Sequence, residues 1–476
     1  MPNLGCSLGG TPYHHENKGV NMSRFAIIGA GQTGATFALA LLSKGHEVAL
    51  YSDRSPQSLY EDVPATGTAV MYGEALAVEE RLGLHTYRDK APLIEGLTGW
   101  VSSSSGMEVM AMAGSLGDMP GVGVDTRLRS FDRVNEFIRL GGTFIVEDVS
   151  PESLDTIAAA HDLTFVATGK RGLTDLFAGN AARSKYTEPQ RALAMITVTG
   201  LPTDSSAFAH RSDHGGAYNA FSIVGDMGET IWCPYLHKTA GPSWSFLGFG
   251  RIGTEWEERL SSPSNAQEML ETVKGLHKEF LPWDAAFIAN AEVIPDDRFS
   301  WLKGRVKPTV RDAVGFTASG HAVMSLGDTS MTFDPIGAQG AQSGMKQVGH
   351  YLDALESHDG PFDAEWIRST FEDFFHKSGQ ASTALTSILL DQDAGGSVNE
   401  TIFLASNGDR RVADGFFQLL SRPQSALPFK DIAAVHAWIE QLCPGETADE
   451  ILGRSLSRIK EAEQLHAQGL PYFPRA

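Results

Sequence analysis

Two glycine-rich stretches carry the chemistry this sequence can perform. The first, Gly29-Ala30-Gly31-Gln32-Thr33-Gly34, follows the apolar run 25–28 and opens the helical pattern 35–43. In a Gly-x-Gly-x-x-Gly loop the first glycine permits the tight turn, and the second lets a pyrophosphate approach the backbone. The third allows close packing of helix on strand, while the helix start offers unpaired N–H groups and a positive dipole end. Sites of this kind place an acidic residue about 20 positions further on, where it accepts from a ribose hydroxyl. Asp53, between Ser52 and Arg54, is the nearest candidate.

The second stretch is Gly327-Asp328, then Asp334-Pro335-Ile336-Gly337-Ala338-Gln339-Gly340-Ala341-Gln342. Pro335, with its φ fixed and no N–H to satisfy, suits a helix start. Gly337 and Gly340 let backbone come close to a flat ring. Amides at that helix start would face negative charge on the ring, as in the N1–C2=O region of a reduced flavin. Asp328, at a strand end, is placed to accept from a ribityl hydroxyl. Each stretch is also compatible with a glycine turn ahead of a core helix, and the first does not separate FAD from NAD. Two of them, one near each end of an α/β pattern split by an inserted sheet, favour FAD.

The elements that must hold these loops follow from periodicity. Strand 25–28, helix 35–43 and strand 47–51 form a β-α-β unit. A helix is expected over 73–82, a hairpin over 99–114 turning at 102–106, and a strand leading into an amphipathic helix over 124–140. The apolar face of that helix is read as Leu128, Phe131, Val134, Phe137 and Ile138. Strands follow at 143–146 and 163–167. Successive short strands at 192–198, 220–224, 230–233 and 245–250 then suggest an antiparallel sheet, followed by a helix at 266–280. A strand at 322–328 and a helix at 337–355 restore the α/β character, and the chain is mostly helical from 363, where Trp366, Ile367, Phe371, Phe374 and Phe375 read as core.

The expected architecture is therefore α/β. A discontinuous, Rossmann-like FAD-binding domain (22–90, 120–185 and 300–360) carries an inserted antiparallel-sheet substrate domain (91–119 and 186–299). A helical C-terminal region (361–476) completes it. Residues 1–21 lack the basic and apolar segments of a signal peptide and read as a flexible lead-in.

Composition narrows the function classes. The 476 residues suffice for several units with sizeable cores, and no apolar run approaches the roughly 20 residues of a membrane span. A net charge of −20 repels phosphate backbones and anionic lipid, which removes nucleic acid and the membrane surface as expected partners. Three scattered cysteines form no disulfide framework and no C-x-x-C, so a reducing cytoplasm is the expected compartment. The histidines show no metal-ligand spacing.

The two glycine stretches, with Arg127 between them, resemble the para-hydroxybenzoate-hydroxylase-type flavoprotein monooxygenases. Within that group the sequence is most similar to the oxygenase component of two-component styrene and indole monooxygenases. The segments Tyr51-Ser52-Asp53-Arg54, Val124-Asp125-Thr126-Arg127-Leu128, Val166-Ala167-Thr168-Gly169-Lys170, 186–193 and Arg311-Asp312 carry the likeness. The resemblance implies that Gly29, Gly31 and Gly34, with Gln32 and Thr33, hold the FAD pyrophosphate. Ser52, Asp53 or Arg54 would lie near the adenosine, and Arg127 along the ribityl-pyrophosphate. Asp328, after Gly327, would bind ribityl, and Pro335, Gly337, Ala338, Gln339 and Gly340 would line the isoalloxazine.

Where single-component hydroxylases carry an Asp-Gly motif, this chain has Thr168-Gly169-Lys170, as styrene-type oxygenases do. No second dinucleotide fingerprint is present. The resemblance thus implies FAD delivered already reduced by a transiently bound NADH-dependent flavin reductase. Two departures stand out. Segment 66–74 lacks the arginine and the His-Asn pair of the styrene-type pattern, and Ile336-Gly337-Ala338-Gln339 is closer to the hydroxylase form.

The implied chemistry is reaction of reduced FAD with O₂ to a C4a-hydroperoxyflavin, which epoxidises or hydroxylates a small apolar aromatic, an aromatic alkene or indole-like ring. The flavin carries that chemistry, so no His/Asp/Ser catalytic set is expected, and Pro335 and Gly337 flank the reacting centre. Met71, Phe221, Trp232, Phe246 and Phe333 are candidates for the substrate pocket, with Tyr235 and Trp244 on the same sheet; core packing is the competing role. A homodimer through the C-terminal helices is compatible with the pattern. The alternatives are an FAD-dependent dehydrogenase or reductase of the same fold, and a non-catalytic scaffold. A halogenase is disfavoured because Trp232-Cys233-Pro234 lacks W-x-W-x-I-P.

Overall fold

The computed structural model describes residues 22–67, 70–103, 107–169, 172–211, 218–391 and 397–470. The lead-in 1–21, the turn tip 104–106, residues 68–69 of segment 66–74, and Lys170 lie outside the described residues.

Buried apolar runs build the first sheet. Its six strands lie in the order Val314–Phe316, Ala322–Ser325, Leu163–Val166, Arg24–Ile28, Glu47–Ser52 and Thr143–Val146. All pairs are parallel except the edge strand Val314–Phe316, which runs antiparallel to its neighbour. Phe25 and Ile27 point to one face with Phe37, Val134, Phe165, Tyr351 and Phe371, and Ala26 and Ile28 point to the other with Leu154 and Val166. Helices Gln32–Ser43, Gln339–Glu356 and Ala364–Phe374 cover the first of these faces. Ile367, Phe371, Phe374 and Phe375 are core residues here, as their spacing predicts.

The second sheet takes Glu292–Val293, Arg191–Thr199, Gly241–Arg251, Gly228–His237, Tyr218–Val224, Gly96–Ser102 and Glu108–Ser115 in that order. It is mixed rather than antiparallel throughout, because Tyr218–Val224 runs parallel to Gly96–Ser102. Strand Trp301–Arg305 also pairs with Arg191–Thr199, so the substrate sheet continues past residue 299, where the sequence division ended it. Helices Glu255–Ser261 and Ala266–Phe280 cover one face of this sheet. Helices Val398–Gly408, Arg410–Gln418 and Ala448–Ala467 pack on the hairpin Gly96–Ser102/Glu108–Ser115. At that contact a Cβ on Gly114 would stand 2.6 Å from the Ala413 carbonyl carbon, so glycine is what lets helix and strand touch.

Helix Thr126–Arg139 departs from its predicted face. Val134 and Phe137 are buried, but Ile138 is 41% exposed. Arg127, Arg129 and Arg133 are buried instead, each held by carboxylates. Periodicity scores arginine as polar and cannot see that Glu79 and Asp297 arrive from elsewhere, beside the helix's own cap Asp125, to pair with it.

Candidate active site

The first glycine loop sits where strand Arg24–Ile28 hands over to helix Gln32–Ser43. Its three glycines are required for different reasons. Gly29 has φ +113°, and a Cβ there would meet the Ala167 carbonyl oxygen at 2.6 Å. A Cβ on Gly34 would lie 2.0 Å from the Gly29 carbonyl oxygen. At Gly31 the same atom would meet nothing within 4 Å. Packing therefore explains Gly29 and Gly34, but Gly31 faces open space on the wall of a large cavity. The helix behind it has no side-chain cap, which leaves its first N–H groups for a ligand.

That cavity has a volume of about 740 Å³, within the range of cofactor and substrate clefts. Gly31, Gln32, Thr33, Gly34, Gly169, Gly327 and Asp328 line it, and so do Pro335, Ile336, Ala338, Gly340 and Ala341. Two loops nearly 300 residues apart in the chain thus meet on one space. They meet because Leu163–Val166 lies between Arg24–Ile28 and Ala322–Ser325 in the first sheet, which sets both following loops at the same sheet end. Asp328 stands exposed on the cavity wall, where the protein packed around it raises its pKa and Arg311 opposes that shift.

The second loop is not the simple helix start expected at Pro335. Pro335–Gly337 is a separate 3₁₀ turn, Ala338 adopts a left-handed backbone (φ 52°, ψ 29°), and the long helix begins at Gln339. Left-handed backbone is costly for alanine and persists only where the surroundings impose it. Two glutamines impose it here. Gln339 Nε2 donates to the Gly337 carbonyl (2.7 Å) and to the Leu420 carbonyl (3.1 Å), and Ser382 donates to Gln339 Oε1 (2.9 Å). Gln342 Nε2 donates to the Ala338 carbonyl (2.8 Å) and again to Leu420 (3.0 Å). Gln339 is therefore a fully buried strut and does not line the cavity. Gly337 also lies off the wall, against Thr386. The uncapped start of helix Gln339–Glu356 replaces Pro335 as the source of free amides facing the cavity.

The other expected cofactor residues divide. Ser52, Asp53 and Arg54 lie beyond the cavity lining, at the end of strand Glu47–Ser52, which receives the Gly29 N–H through the Tyr51 carbonyl (2.8 Å). Arg54 is paired with Asp53 at 2.8 Å. Arg127 reaches the wall but offers no free cation. Asp125 holds it at 2.7 Å and 2.9 Å and Asp297 at 2.7 Å, with the Val63 carbonyl at 3.3 Å. Those two carboxylates push its pKa up against the cost of burial.

The substrate candidates sort by strand alternation. Phe221 and Phe333 line the cavity, with Ile223, Ile231, Cys233, Leu247 and Phe249. Trp232 and Phe246 do not; with Trp244 they point through the sheet into the core formed with helix Ala266–Phe280. Trp232 Nε1 donates to His277 Nε2 (3.0 Å), and His277 Nδ1 faces the Val273 carbonyl (2.8 Å). Burial holds that imidazole neutral, its pKa lowered to about 4. Met71 is fully buried in a separate core patch, and its neighbours Val70 and Tyr72 line the cavity in its place. A one-residue shift in a strand-like segment reverses the face a side chain meets. Tyr235 shares its strand face with Ile231 and Cys233 but is fully buried behind the lining, packed against Met195, Leu247 and Phe249.

Two groups of residues around the cavity escaped the sequence. The C-terminal segments close the cavity with Leu389, Asn399, Phe403, Phe416, Phe417 and Leu420. Nothing in their helical spacing distinguishes a cavity wall from core. Beneath the second loop lies a buried ion cluster, Arg191 bound to Glu229 (2.6 Å) and to Asp334. Arg191 and Asp334 both fall in the stretches that carry the family resemblance, but only the fold shows that they touch.

The residues fit a bound FAD. Gly31 leaves room that no protein atom uses, and two uncapped helix starts and Asp328 face the same cavity. Comparison with known proteins agrees. Residues 169–286 match the family model described as the styrene monooxygenase A putative substrate binding domain. Residues 24–81 match one described as NADP oxidoreductase, coenzyme F420-dependent. The chain is 26% identical to styrene monooxygenase StyA of Pseudomonas fluorescens over 67% of its own length and 74% of that protein. Among solved structures, the flavin-dependent brominase Bmp2 superposes with a TM-score of 0.58 at 13% identity, covering 93% of this chain and all of that one. The p-nitrophenol 4-monooxygenase PnpA of Pseudomonas putida DLL-E4 superposes at 0.52 with 15% identity, over 90% and 98% of the two chains. At those identities the structural likeness speaks for the fold.

Proposed function

We propose that this styrene-monooxygenase-like chain, an FAD-dependent monooxygenase, is the oxygenase component of a two-component system. It would receive FAD already reduced by a separate NADH-dependent reductase in the cytoplasm and oxygenate a small aromatic, an aromatic alkene or an indole-like ring. Among the described residues, no helix is long and apolar enough to cross a membrane. The observation that carries the proposal is the single cavity whose lining runs from the two glycine loops to an apolar sheet face and the C-terminal helices. A cofactor ring and a flat apolar substrate can share it.

When bound, reduced FAD supplies the activation of O₂. The chain's own residues have three tasks. Gly31 and the amides of helix Gln32–Ser43 bind the pyrophosphate, and Asp328 accepts from the ribityl chain. The uncapped amides after Ala338, fixed by Gln339 and Gln342, stabilise negative charge on the ring, because preorganised dipoles need no rearrangement during reaction. Phe221, Ile223, Phe403 and Phe416 exclude water and hold the substrate face against the loop at 335–340. Thr168-Gly169, where single-component enzymes of the resembling group have Asp-Gly, supports delivery of reduced flavin from outside.

The test is anaerobic mixing of the protein with reduced FAD, followed by rapid mixing with oxygenated buffer and an aromatic substrate while flavin absorbance is recorded. An oxygen-dependent absorbing state that persists before the oxidised spectrum returns, with ¹⁸O from ¹⁸O₂ in the product, is expected. Direct return to oxidised FAD despite tight binding would overturn the oxygenase reading. Reduction of bound FAD by NADH without a partner would overturn the two-component one and favour a dehydrogenase.

A further inference from the structure

One polar group on the apolar wall of the cavity is left unmatched. Asn399 lines the cavity from helix Val398–Gly408 and is only 6% exposed, yet its Oδ1 has no hydrogen-bond partner among the described residues. Helix capping does not account for it, because Ser397 performs that task by accepting from the Glu400 N–H at 3.1 Å. Packing does not account for it either. One turn along the same helix Phe403 stacks on Phe221, with centroids 6.5 Å apart and planes 14° from parallel, and meets Phe416 edge-on at 5.2 Å. An amide oxygen among such groups is unfavourable unless something donates to it.

We propose that Asn399 is a specificity-determining residue whose amide, by rotation about its side-chain bond, presents the unpartnered Oδ1 to an N–H or O–H on the substrate. The preferred substrate is then an aromatic bearing such a donor, chosen over a hydrocarbon of the same shape. This inference rests on the cavity being the substrate site of the proposed oxygenase. The aromatic wall sets the plane of the substrate ring, and the amide sets its rotation within that plane. Rotation decides which carbon faces the loop at 335–340, so the same contact that selects the substrate also orients it. A site with a buried acceptor rejects the analogue that lacks the donor, because the acceptor then stays unpaired.

Indole and indene make a matched pair, with one fused frame carrying N–H in the first and CH₂ in the second. Their binding to the FAD-loaded protein in the oxidised state is measured by calorimetry, with no turnover involved. Indole is expected to bind about tenfold tighter than indene, the size of one net hydrogen bond. Asn399→Leu, similar in volume, is expected to erase that ratio by weakening indole while indene binds as well or better. Asn399→Ser, smaller and still polar, gives an intermediate ratio. Equal affinities for the pair in the unsubstituted protein, an equal loss of both in Asn399→Leu, or no binding of either would overturn the proposal. The first comparison needs no variant and so stands even if Asn399→Leu fails to fold. Retained indole preference without any oxygenation would instead overturn the monooxygenase reading and leave the Asn399 assignment intact.

Discussion

Arg191, at the head of a sheet strand, forms a buried ion pair with Asp334, the residue that opens the second glycine loop. The pair ties the substrate sheet to the loop expected to face the flavin. Asp334 Oδ1 also accepts from the Ile336 N–H (3.0 Å), so one carboxylate oxygen fixes both the sheet contact and the 3₁₀ turn. Removing Asp334 leaves Arg191 paired with Glu229 alone and takes away the acceptor of the Ile336 N–H, a loss of charge-assisted hydrogen bonds that costs about 1.5–3 kcal/mol. Asp334→Ala is therefore expected to lower unfolding free energy by an amount of that order and to weaken FAD binding at least tenfold. Denaturant titration and quenching of FAD fluorescence measure the two effects. A variant as stable as the parent would show that the pair does not brace the loop.

The first loop predicts a contrast between two alanine substitutions. Gly31→Ala adds a methyl group where nothing lies within 4 Å, so the melting temperature should not move while FAD affinity falls by at least tenfold. Gly34→Ala sets a Cβ 2.0 Å from the Gly29 carbonyl oxygen, so the protein should lose stability or fail to fold. Thermal melts with and without FAD separate the outcomes. Equal melting losses in both variants would remove the case for a ligand at Gly31.

Strand alternation gives a second contrast. Phe221→Ala opens the cavity wall and should raise KM for an aromatic substrate several-fold. Trp232→Phe leaves the cavity lining alone but removes the donor that His277 Nε2 accepts from. It should cost about 1–3 kcal/mol of stability at unchanged KM. Steady-state kinetics with a supplied flavin reductase, beside denaturant melts, reads both. A KM change in Trp232→Phe would place that ring in the cavity after all.

Glu108 predicts a pH dependence. It is buried at the start of strand Glu108–Ser115, and loss of water raises its pKa to about 9, with Arg211 opposing. The folded protein thus holds a proton that the unfolded chain releases near 4.5. Between those values the unfolded state binds fewer protons, so stability falls as pH rises. Glu108→Gln removes the titration. Its unfolding free energy should match the parent's near pH 5 and exceed it progressively toward pH 9, by an amount on the order of 3–5 kcal/mol. Parallel melting profiles for the two proteins across that range would refute the assignment.

Gln339 predicts a loss of a different kind. Gln339→Leu removes the two donations that hold Gly337 and Leu420 and the acceptor for Ser382. Ala338 would then be held in its left-handed conformation by Gln342 alone. FAD affinity is expected to fall by about tenfold or more, with a stability loss of about 1–3 kcal/mol. Unchanged FAD binding in a folded Gln339→Leu protein would show that the loop holds its shape without the strut.

Local chemistry made the glycine loops legible from sequence. Gly29, Gly31 and Gly34 follow a buried strand and open a helix, and that order alone states a turn, a close approach and a packing contact. Helix Ala266–Phe280 was equally plain, since its apolar spacing and the Asn265 cap are local. Which side of a strand faces a cavity is not local. Phe221 and Trp232 are both large aromatics on adjacent strands, yet one lines the cavity and the other fills the opposite core. Only the sheet's two coverings, helix Ala266–Phe280 on one side and the C-terminal helices on the other, decide between them. The same holds for charge. The sequence contains Arg127, Asp125 and Asp297, but whether Arg127 is a free anion site or a neutralised strut depends on Asp297 arriving from 170 residues away. Gln339 reads as a flavin-loop residue and becomes a brace because Leu420 and Ser382 close over it. Backbone conformation and periodicity are written in neighbouring residues, whereas desolvation and partner choice belong to whatever the rest of the chain brings alongside.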